Sequence, residues 1–574
     1  MPINLLKRFL LNAGMKILGV TSLFHDTGIA VVNKGKITHA INEERLSRKK
    51  MHVGFPYRSL DYIKQFTKES DIDAIAVSDI PAKELFSKIK FAMFDPSLYT
   101  VNPYYAAKSS AMMTRWVYKT MKWYRKYQKE QQHVFEKLGK RVIRLEHHPN
   151  HAASAYFTSG KKKCLVITID NHGDGICGSV SIGENNQLTR LDTLPWPHSP
   201  GFFYAMITKV LGFKVGRHEG KITGLAAYGN PTSAAYSEIK KLMWFENGTI
   251  KTSAMIGRRG WVKALTQKYS KENLAAAFQR VLEETVTAYV AHWMHITGIK
   301  DIALAGGVFG NVKLNQRILE AGASSAFIHP HMSDGGTGAG AALHYAMLEG
   351  EAKPYELHDV YFGPNYSNEE IKAELDKQGL KAEYLDDIEA QIAELLAKNN
   401  VVAYFSGAME YGPRALGARS IIYPATDPKV NDWLNKRLQR TEWMPFAPYT
   451  LERYAKDCYK NMDGGEYAAK FMTITFDCTD FMKEHSPATV HVDGTARPQV
   501  INRNIHKPYN KILETYYKIT KIPSLVNTSF NMHEEPIVCS PYDAIRAFKL
   551  GHLDYLAMGN YLVKNDNAPG TDKR

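Results

Sequence analysis

Two similar strand–turn–strand units, roughly 150 residues apart, constrain the fold of this chain more than any other feature. In the first, the apolar run Lys16–Ser22 leads into the polar turn Leu23–Gly28, and a second strand returns. In the other, Leu165–Ile169 leads into Asp170–Gly175, again with a returning strand. The recurrence indicates an internal duplication. Turns rich in Gly and Asp let backbone N–H groups approach a phosphate, and their carboxylates can hold a metal ion.

The chain has 574 residues, of which 44% are hydrophobic and 23% charged. This is globular composition with enough length for at least two domains, which excludes a disordered tail or a small disulfide scaffold. Alternating strands and helices over residues 15–348 predict an α/β domain. A polar join at 349–360 precedes a second α/β domain, so we predict domains at 1–354 and 355–574.

The net charge of +15 suggests anionic partners, or simply a basic, solvated surface. Five scattered cysteines without a C-x-x-C pair indicate a reduced compartment and argue against zinc ribbons and iron–sulfur clusters. No apolar run reaches the ~18 residues of a membrane span. The first fourteen residues form a poor signal peptide, and we expect a cytoplasmic protein.

The segment 89–140 is helical in composition, basic and aromatic. It can be an acceptor-binding lid, a docking surface or a membrane-facing patch. The more common explanation is an amphipathic helix that packs its aromatic side chains and solvates its lysines, and we favour that interpretation.

His147 and His151 have H-x-x-x-H spacing, which places both imidazoles on one helix face. The Glu of the H-E-x-x-H zinc-protease motif is missing. Asp170 and Asp334, at Gly-rich turns, complete a set of two histidines and two carboxylates suited to Fe(II), Mn(II) or Zn(II). The alternative is a pair of ordinary surface histidines.

Two further segments of the first domain suit a nucleotide. Gly306 and Gly307 end a strand before a helix that follows Asn311, a favourable place for a ribose or phosphate. Lys221, in a glycine-punctuated basic segment, can neutralise a phosphate, although a tight loop with an exposed lysine explains it equally well.

Basic and polar loops recur in the second domain. Arg414 and Arg419 are framed by Gly and Pro, as suits bidentate capture of phosphoryl or carboxylate groups. The other loops contain Arg440, Arg497, and Asn527 with Ser529. Together they match the needs of a site for ATP and an acyl phosphate, although each arginine alone is more often a surface ion pair.

With these residues assembled, the chain resembles the NodU, cephem and tobramycin O-carbamoyltransferase family over residues 16 to about 550. The matching stretches are His25-Asp26, Glu43–Lys49, His147-x-x-x-His151-Ala, Gly306–Val308, Met409–Ser420, Pro445–Pro448, Asn527–Asn531 and Glu535–Val538.

The resemblance implies a duplicated actin-like ATPase (ASKHA) domain followed by a YrdC-like α/β domain. It implies an ATP-dependent O-carbamoyltransferase with two active sites. The C-terminal site forms carbamoyl-adenylate from carbamoyl phosphate and ATP, accompanied by Mg(II). The N-terminal site then transfers the carbamoyl group to a hydroxyl of an acceptor and releases AMP.

The family pattern also implies roles for individual residues. The metal ligands are His147, His151, Asp170 and Asp334, with iron as the expected ion. The adenylate loop contains Gly306, Gly307 and Asn311, and we assign Lys221, Asn527 and Ser529 to nucleotide binding as well. His25, beside Asp26, matches a histidine near the reacting carbonyl and is our candidate base, because an alcohol needs a base within hydrogen-bond reach. The C-terminal candidates are Arg414, Arg419, Arg440 and Arg497.

The chain departs from the family pattern before Pro445. Of a basic trio in many relatives only Arg440 remains, with Thr441 and Met444 in place of Glu and Arg. Glu534 replaces a family glycine. These changes mark either a subfamily that holds its anion differently or a weaker C-terminal site.

The leading hypothesis is carbamate ester formation on a small molecule or glycan, without nucleic acid, by a chain that we expect to be a homodimer. The basic charge favours one alternative, a threonylcarbamoyl-type tRNA-modifying enzyme, but no RNA-binding module is recognisable. Thiol carbamoylation in hydrogenase maturation is disfavoured, because the zinc-finger cysteines and acylphosphatase-like domain are missing. A non-catalytic nucleotide-binding scaffold is the fourth hypothesis.

Overall fold

A computed structural model describes residues 14–22, 25–93, 103–196, 198–253, 259–439 and 445–568. The chain forms two compact units. The first contains the chain up to Glu43 and Met51–Leu357. The second contains Glu44–Lys50 and the chain from His358 onward, so a short segment of the N-terminal half belongs to the C-terminal unit.

Sheet I of the first unit has the strand order 3-2-1-4-5. Its strands are β1 (Lys16–Thr21), β2 (Gly28–Asn33), β3 (Lys36–Asn42), β4 (Ala74–Val77) and β5 (Arg141–Arg144). The first three strands form an antiparallel meander, whereas β4 and β5 run parallel to β1. From its second residue on, β1 is buried, as expected for a strand covered on both faces.

Sheet II repeats this topology. Its strands are β6 (Lys163–Gly173), β7 (Ile176–Glu184), β8 (Gln187–Pro195), β11 (Asp301–Ala305) and β12 (Ser325–Ile328), with β9 (Met243–Glu246) and β10 (Thr249–Thr252) as a separate hairpin. Again three antiparallel strands are followed by two parallel ones, in the order β12-β11-β6-β7-β8. The duplication and the α/β class are therefore confirmed, and this repeated sheet is the one that an actin-like fold implies.

Helices connect and cover these sheets. Those of the first unit are α1 (Glu43–Ser47, continuing into the second unit), α2 (Tyr57–Lys64), α3 (Ala82–Met93), α4 (Pro103–Leu138), α5 (His147–Thr158), α6 (Pro200–Val210), α7 (Glu219–Ala226), α8 (Ala234–Ile239), α9 (Arg259–Lys268), α10 (Lys271–Thr297), α11 (Val312–Glu320) and α12 (Thr337–Leu348). The small-residue helix α12 packs on β1 and on α5, so it links sheet I to the helix that carries the paired histidines.

The C-terminal part of α4 packs as an amphipathic helix. Met121 and Tyr124 join a buried cluster with Ile80 and Leu85, and the Tyr124 hydroxyl donates to the Ile80 carbonyl at 2.7 Å. This agrees with the packing interpretation of the basic-aromatic segment. Its residues 94–102 lie outside the described part of the chain, as do all side chains from 89 to 117.

The second unit is built on sheet III, with the order β13-β22-β21-β14-β15-β20-β16-β19 among the described residues. Its strands are β13 (Glu383–Tyr384), β14 (Val402–Phe405), β15 (Arg419–Pro424), β16 (Ala447–Leu451), β19 (Gln499–Ile501), β20 (Ser524–Ser529), β21 (Tyr555–Met558) and β22 (Tyr561–Lys564), and β17 (Phe476–Asp477) pairs with β18 (Thr495–Ala496). Strand β14 alternates between two cores: Ala403 and Phe405 enter one, and Val402 and Tyr404 the other.

The helices of the second unit cover the two faces of sheet III. They are α13 (Asn368–Lys377), α14 (Ile388–Ala397), α15 (Val430–Arg437), α16 (Ala455–Cys458), α17 (Glu466–Ala469), α18 (Asp480–His485), α19 (Lys507–Thr520) and α20 (Pro541–Leu550). Apolar side chains of α14 and α19 enter the core that contains Val402, whereas α13 and α20 contribute to the core that contains Ala403. Among the helices described in either unit, none is long and apolar enough to cross a membrane.

The close approach of β1 and α12 generates a stability prediction. A Cβ atom at Gly19 would lie 2.0 Å from the Gly338 carbonyl oxygen and 2.9 Å from the Ala342 Cβ. Because backbone cannot move aside as a flexible side chain can, we expect Gly19→Ala to lower the free energy of unfolding by at least about 2 kcal/mol.

Denaturant unfolding checks this expectation. Gly260→Ala in α9 is the matched control, since nothing lies within 4 Å of its added Cβ. The control should be neutral or gain about 0.5 kcal/mol from helix propensity. Equal stability of the two variants would contradict the tight β1–α12 contact.

Candidate functional site: a histidine–carboxylate cluster and an arginine pair

The paired histidines lie on one face of α5. His147 is the first residue of the helix and His151 lies one turn later, so the two Nε2 atoms approach to 3.1 Å. His151 is fully buried and His147 nearly so. The surface-histidine alternative does not describe these side chains, because both imidazoles face the protein interior.

Asp170 reaches these imidazoles from the end of sheet II. The pairing of β6 with β7 is interrupted between Ile169 and Gly173, which frees Asp170 from the ladder. Its Oδ2 lies 3.3 Å from His151 Nε2 and 3.6 Å from His147 Nε2.

Asp334 comes from the short 3₁₀ turn before α12. Its Oδ1 lies 3.5 Å from His147 Nε2 and 3.7 Å from His151 Nε2. Its carbonyl accepts hydrogen bonds from the hydroxyls of Thr337 and Thr21, which fix the turn. One carboxylate from the turn of sheet II and one from the loop after it therefore meet at the same two imidazoles.

The donor set fits a divalent metal ion. Ligand atoms of His147, His151, Asp170 and Asp334 all lie within 4.8 Å of one another. An ion about 2.1 Å from each ligand separates neighbouring ligands by about 3.0 Å in octahedral and about 3.4 Å in tetrahedral geometry. The observed separations of 3.1–3.7 Å begin within this range and exceed it by at most about 0.3 Å. Asp170 Oδ2 is buried without a hydrogen-bond partner, as expected of an oxygen available to a cation.

The charges of the cluster stabilise one another. Burial opposes ionisation of Asp170, but His147 and His151 more than offset it and hold the pKa of this carboxyl well below its usual range. Burial likewise disfavours charge on His147, yet Asp334 and Asp170 raise its pKa to about 9. The cluster therefore favours ionised carboxylates, the form that binds metal, and a metal ion that binds there must displace the proton of His147.

His25 and Asp26 lie at the edge of this cluster, in the sheet I turn equivalent to the turn of Asp170. His25 Nε2 is 3.8 Å from Asp334 Oδ2, and its Nδ1 is 3.7 Å from Asp26 Oδ2. Burial lowers its basicity, but the carboxylates of Asp334 and Asp26 raise the pKa of His25 to about 10. The side chain is 45% exposed, so a reacting group from solvent can reach it. The two duplicated turns thus converge on Asp334.

The glycine pair packs directly against the cluster. A Cβ at Gly306 would lie 2.2 Å from the Ile169 carbonyl oxygen, and one at Gly307 would lie 2.9 Å from Asp170 Oδ1. Gly306 also has a φ of 103°, which favours glycine. These glycines bring the loop between β11 and α11 next to Asp170.

The other two predicted nucleotide contacts of this unit, Lys221 and Asn311, differ in their surroundings. Lys221 is buried on α7, so the exposed-lysine alternative is wrong. Asn311 caps α11 by accepting from the Leu314 N–H, and its amide also exchanges hydrogen bonds with Gln279. Both ends of that amide are therefore engaged within the protein.

One positioning residue was missed by the sequence analysis. Asp174, in the β6–β7 turn, accepts a 2.8 Å hydrogen bond from the His147 backbone N–H at the start of α5. Burial raises the pKa of Asp174 to about 6. A carboxylate on the orphan N–H groups of a helix is favourable, but this one comes from a different element, so local sequence carries no signal for it.

In the second unit, Arg414 and Arg497 form a pair of cations without a counter-charge. Each is partly buried, and each Nε lacks a hydrogen-bond partner. Burial lowers the pKa of Arg414 to about 10; burial and the charge of Arg414 hold the pKa of Arg497 well below its usual range. Neither guanidinium has an ion-pair partner within the described part of the unit. Such a pair favours an anionic ligand.

Arg419 has a different role. It is fully buried, stacks 3.7 Å from the Phe405 ring centroid, and donates to four backbone carbonyls. These belong to Pro364, Ser406, Gly407 and Ala418. The guanidinium therefore holds loops together, and the structure offers no support for a catalytic role. Arg440, with Thr441 and Met444, lies outside the described residues.

Polar side chains fix the backbone beside Arg414. Asn527 donates to the Ala415 carbonyl and to Gln499, and Gln499 donates to the Leu416 carbonyl. Ser529 ends β20 opposite Ser420. Gln499 was not predicted, because a lone Gln in a strand carries no motif.

Glu534, at the position where the family resemblance implies a glycine, has a φ of 62°. The left-handed conformation is the physical reason for a glycine there, and this chain adopts it with a side chain present.

Comparison with known proteins identifies relatives over most of the chain. A family model for the carbamoyltransferase N-terminus matches residues 16–343, and one for the carbamoyltransferase C-terminus matches residues 393–565. The nodulation protein NolNO of Sinorhizobium fredii is 32% identical across 96% of this chain and 80% of its own length. An uncharacterised protein of Methanocaldococcus jannaschii is 32% identical across 96% of this chain and 99% of its own.

Solved structures match more distantly. HypF of T. kodakarensis is 14% identical, with a TM-score of 0.34 across 60% of this chain and 49% of that protein. Component A of the Acidaminococcus fermentans (R)-2-hydroxyglutaryl-CoA dehydratase is 13% identical, with a TM-score of 0.34 across 58% of this chain and 98% of its own.

The cluster generates a metal-binding prediction. His151→Ala removes a fully buried ligand, and we expect it to weaken binding of a divalent ion by at least about 100-fold. Metal analysis after reconstitution with Fe(II) or Co(II) checks the stoichiometry. His133→Ala, an exposed histidine on α4, is the control and should bind as the unaltered protein does. Full occupancy in His151→Ala would contradict the assigned site.

Proposed function

We propose that this protein, which belongs to the carbamoyltransferase family, transfers a carbamoyl group to a hydroxyl in two half-reactions. In the first, carbamoyl phosphate and ATP give carbamoyl-adenylate, phosphate and pyrophosphate. The balance needs one water, which frees carbamate from phosphate before a carbamate oxygen bonds to the α-phosphorus of ATP and pyrophosphate leaves. In the second, the acceptor hydroxyl oxygen bonds to the carbamoyl carbon and AMP leaves.

The observation that carries this proposal is the position of His25 beside the histidine–carboxylate cluster. An acyl transfer to an alcohol needs a base for the hydroxyl proton and a centre that stabilises charge on the carbonyl oxygen. His25 and the cluster supply these two functions in the first unit, 3.8 Å apart at Asp334. We therefore assign carbamoyl transfer to the first unit.

His147, His151, Asp170 and Asp334 are the proposed ligands of a divalent ion, with Fe(II) as the ion that the family resemblance implies. When bound, the ion supplies positive charge that polarises the carbamoyl carbonyl and offsets the two carboxylates.

His25 is the proposed base, and Asp26 orients it. Its exposed ring is open to an acceptor, while Asp26 lies beside Nδ1 and Asp334 beside Nε2. In the absence of a cation these carboxylates keep His25 protonated at neutral pH. His25 therefore acts as the base once a bound divalent ion has offset their charge. The adenylate is proposed to lie along Gly306 and Gly307, with the buried Lys221 as a cation for its phosphate.

The second unit is the proposed site of adenylate formation. Arg414 and Arg497 are two partly buried cations without a carboxylate partner among the described residues, which suits the phosphoryl group of carbamoyl phosphate. We retain Asn527 and Ser529 as proposed contacts of ATP, which would bind with Mg(II). A YrdC-like fold for this unit remains a prediction.

The proposed acceptor is a hydroxyl-bearing small molecule or glycan, and the proposed assembly a homodimer. A tRNA acceptor is the second candidate, because the net charge is +15. A non-catalytic scaffold would bind ATP without turnover.

The direct test is to incubate the protein with ATP and carbamoyl phosphate, without acceptor, and to detect products by mass spectrometry. Carbamoyl-adenylate together with pyrophosphate supports the first half-reaction. ATP binding without either product favours the scaffold.

Separate variants should divide the two half-reactions. We expect His147→Ala to abolish carbamoyl transfer and to leave adenylate formation intact. Arg414→Ala should abolish adenylate formation and spare transfer from supplied carbamoyl-adenylate. Product assays for each half-reaction check this, with His133→Ala and the exposed Arg453→Ala as matched controls. Loss of both half-reactions in either variant would contradict the two-site assignment.

The salt dependence of ligand binding distinguishes a tRNA acceptor from a sugar acceptor. Binding of a tRNA should weaken by orders of magnitude between about 50 and 200 mM salt, because phosphate contacts release counterions. Binding of a neutral sugar should change little. Titrations of both ligands at two salt concentrations distinguish the candidates, and a salt-sensitive tRNA complex that competes with transfer would favour the tRNA enzyme.

A further inference from the structure

The segment Glu44–Lys50 carries a basic motif, Glu-Arg-Leu-Ser-Arg-Lys, that the proposed chemistry does not use. In sequence it lies inside the N-terminal half, directly after β3. In the structure it belongs to the C-terminal unit. Its two arginines, Arg45 and Arg48, contact backbone of two different loops there.

Arg45 holds the loop that carries Arg414. Its Nη2 donates a buried 2.8 Å hydrogen bond to the carbonyl of Gly412, two residues before Arg414. Its Nη1 lies 3.0 Å from Glu44 Oε1, and both side chains are buried. The guanidinium charge is therefore balanced by Glu44, and the remaining edge of the fork binds a neutral carbonyl.

Arg48 holds a second loop. Its Nη1 donates to the Ile537 carbonyl at 2.7 Å and its Nη2 to the Pro536 carbonyl at 2.8 Å. Its Nε lies 3.3 Å from Asp543, the residue that closes the capping box of α20. Arg48 also adopts a φ of 59°, a conformation that a non-glycine residue keeps only when its surroundings hold it.

These contacts differ from those of a substrate-binding arginine. The guanidinium groups of Arg45 and Arg48 contact backbone carbonyls and carboxylates of the same unit. Arg414, by contrast, has no such partner among the described residues. The Gly412 carbonyl is the point at which the segment fastens the loop, while Asn527 fastens the Ala415 carbonyl on the far side of Arg414.

We propose that Arg45 and Arg48 are positioning residues of the C-terminal site, forming with Glu44–Lys50 a clamp supplied by the N-terminal half of the chain. Arg45 fixes the Arg414 loop, and Arg48 fixes the Pro536–Ile537 loop. The effect on catalysis rests on the proposed function, because it requires Arg414 to bind an anionic substrate. The clamp also makes the C-terminal unit dependent on residues that precede it by more than 300 positions, as with Arg45 and Gly412.

Hydrogen exchange of the full chain tests the clamp without assuming any activity. Arg45→Met should accelerate exchange of the amides in 409–418 by about tenfold or more, with little change in 530–539. Arg48→Met should do the reverse. Arg453→Ala is the matched control, because Arg453 pairs with Glu514 on the exposed surface of the same unit, and it should change neither segment.

The kinetic consequence is measured in the same variants. Arg45→Met should raise the KM for carbamoyl phosphate in pyrophosphate formation by about tenfold or more, while transfer from supplied carbamoyl-adenylate stays unchanged. Arg45→Lys, which keeps the charge beside Glu44, should recover part of the loss. A merely structural role would lower the amount of active protein and leave KM unchanged.

The outcomes separate the clamp from the proposed function. If the unaltered protein makes no pyrophosphate, the proposed function fails. Hydrogen exchange still shows whether Arg45 and Arg48 hold their loops. If exchange in 409–418 is unchanged in Arg45→Met, the clamp is overturned. Equal acceleration of both loops and of β20 in both variants would show general destabilisation, which also overturns it. A changed loop with an unchanged KM would overturn the positioning role.

Discussion

The central constraint in this protein is the burial of two carboxylates beside two imidazoles. Asp170 and Asp334 come from different loops, and each lies within 3.7 Å of both His147 and His151. Buried charges of this kind are costly unless they are paired or bind a cation. The duplicated sheets, the glycines that let β1 approach α12, and the interrupted β6–β7 ladder all serve to bring these groups together. The same carboxylates raise the pKa of His25.

The two units have opposite electrostatic character at their candidate sites. The first gathers carboxylates and imidazoles, which suit a cation, whereas the second leaves Arg414 and Arg497 without a counter-charge among its described residues and so suits an anion. The proposed reaction, which forms an acyl phosphate anhydride and then transfers its acyl group to a hydroxyl, uses both environments.

Sequence reasoning succeeded where the signal was local. The spacing of His147 and His151 and the repeated polar turns needed only helix and strand periodicity. It failed for residues whose role depends on distant partners. Asp174 accepts a hydrogen bond from the first residue of a helix that belongs to another element. Arg419 was predicted as a substrate contact, but its guanidinium donates to backbone carbonyls. An arginine in a Gly-Pro loop has the same local sequence whether it binds a substrate or holds loops together. The sequence does not show which acceptors its guanidinium will contact.

By itself the sequence determined the α/β class, the duplication and the types of side chain available for chemistry, because these follow from hydrophobic periodicity and composition over short stretches. Only the tertiary structure decided that Asp334 joins the histidines, that Arg414 lacks a partner among the described residues while Arg419 has several, and that Glu44–Lys50 belongs to the C-terminal unit. The reason is physical. Which charges meet depends on contacts between residues hundreds of positions apart, and one sequence carries no record of those distances.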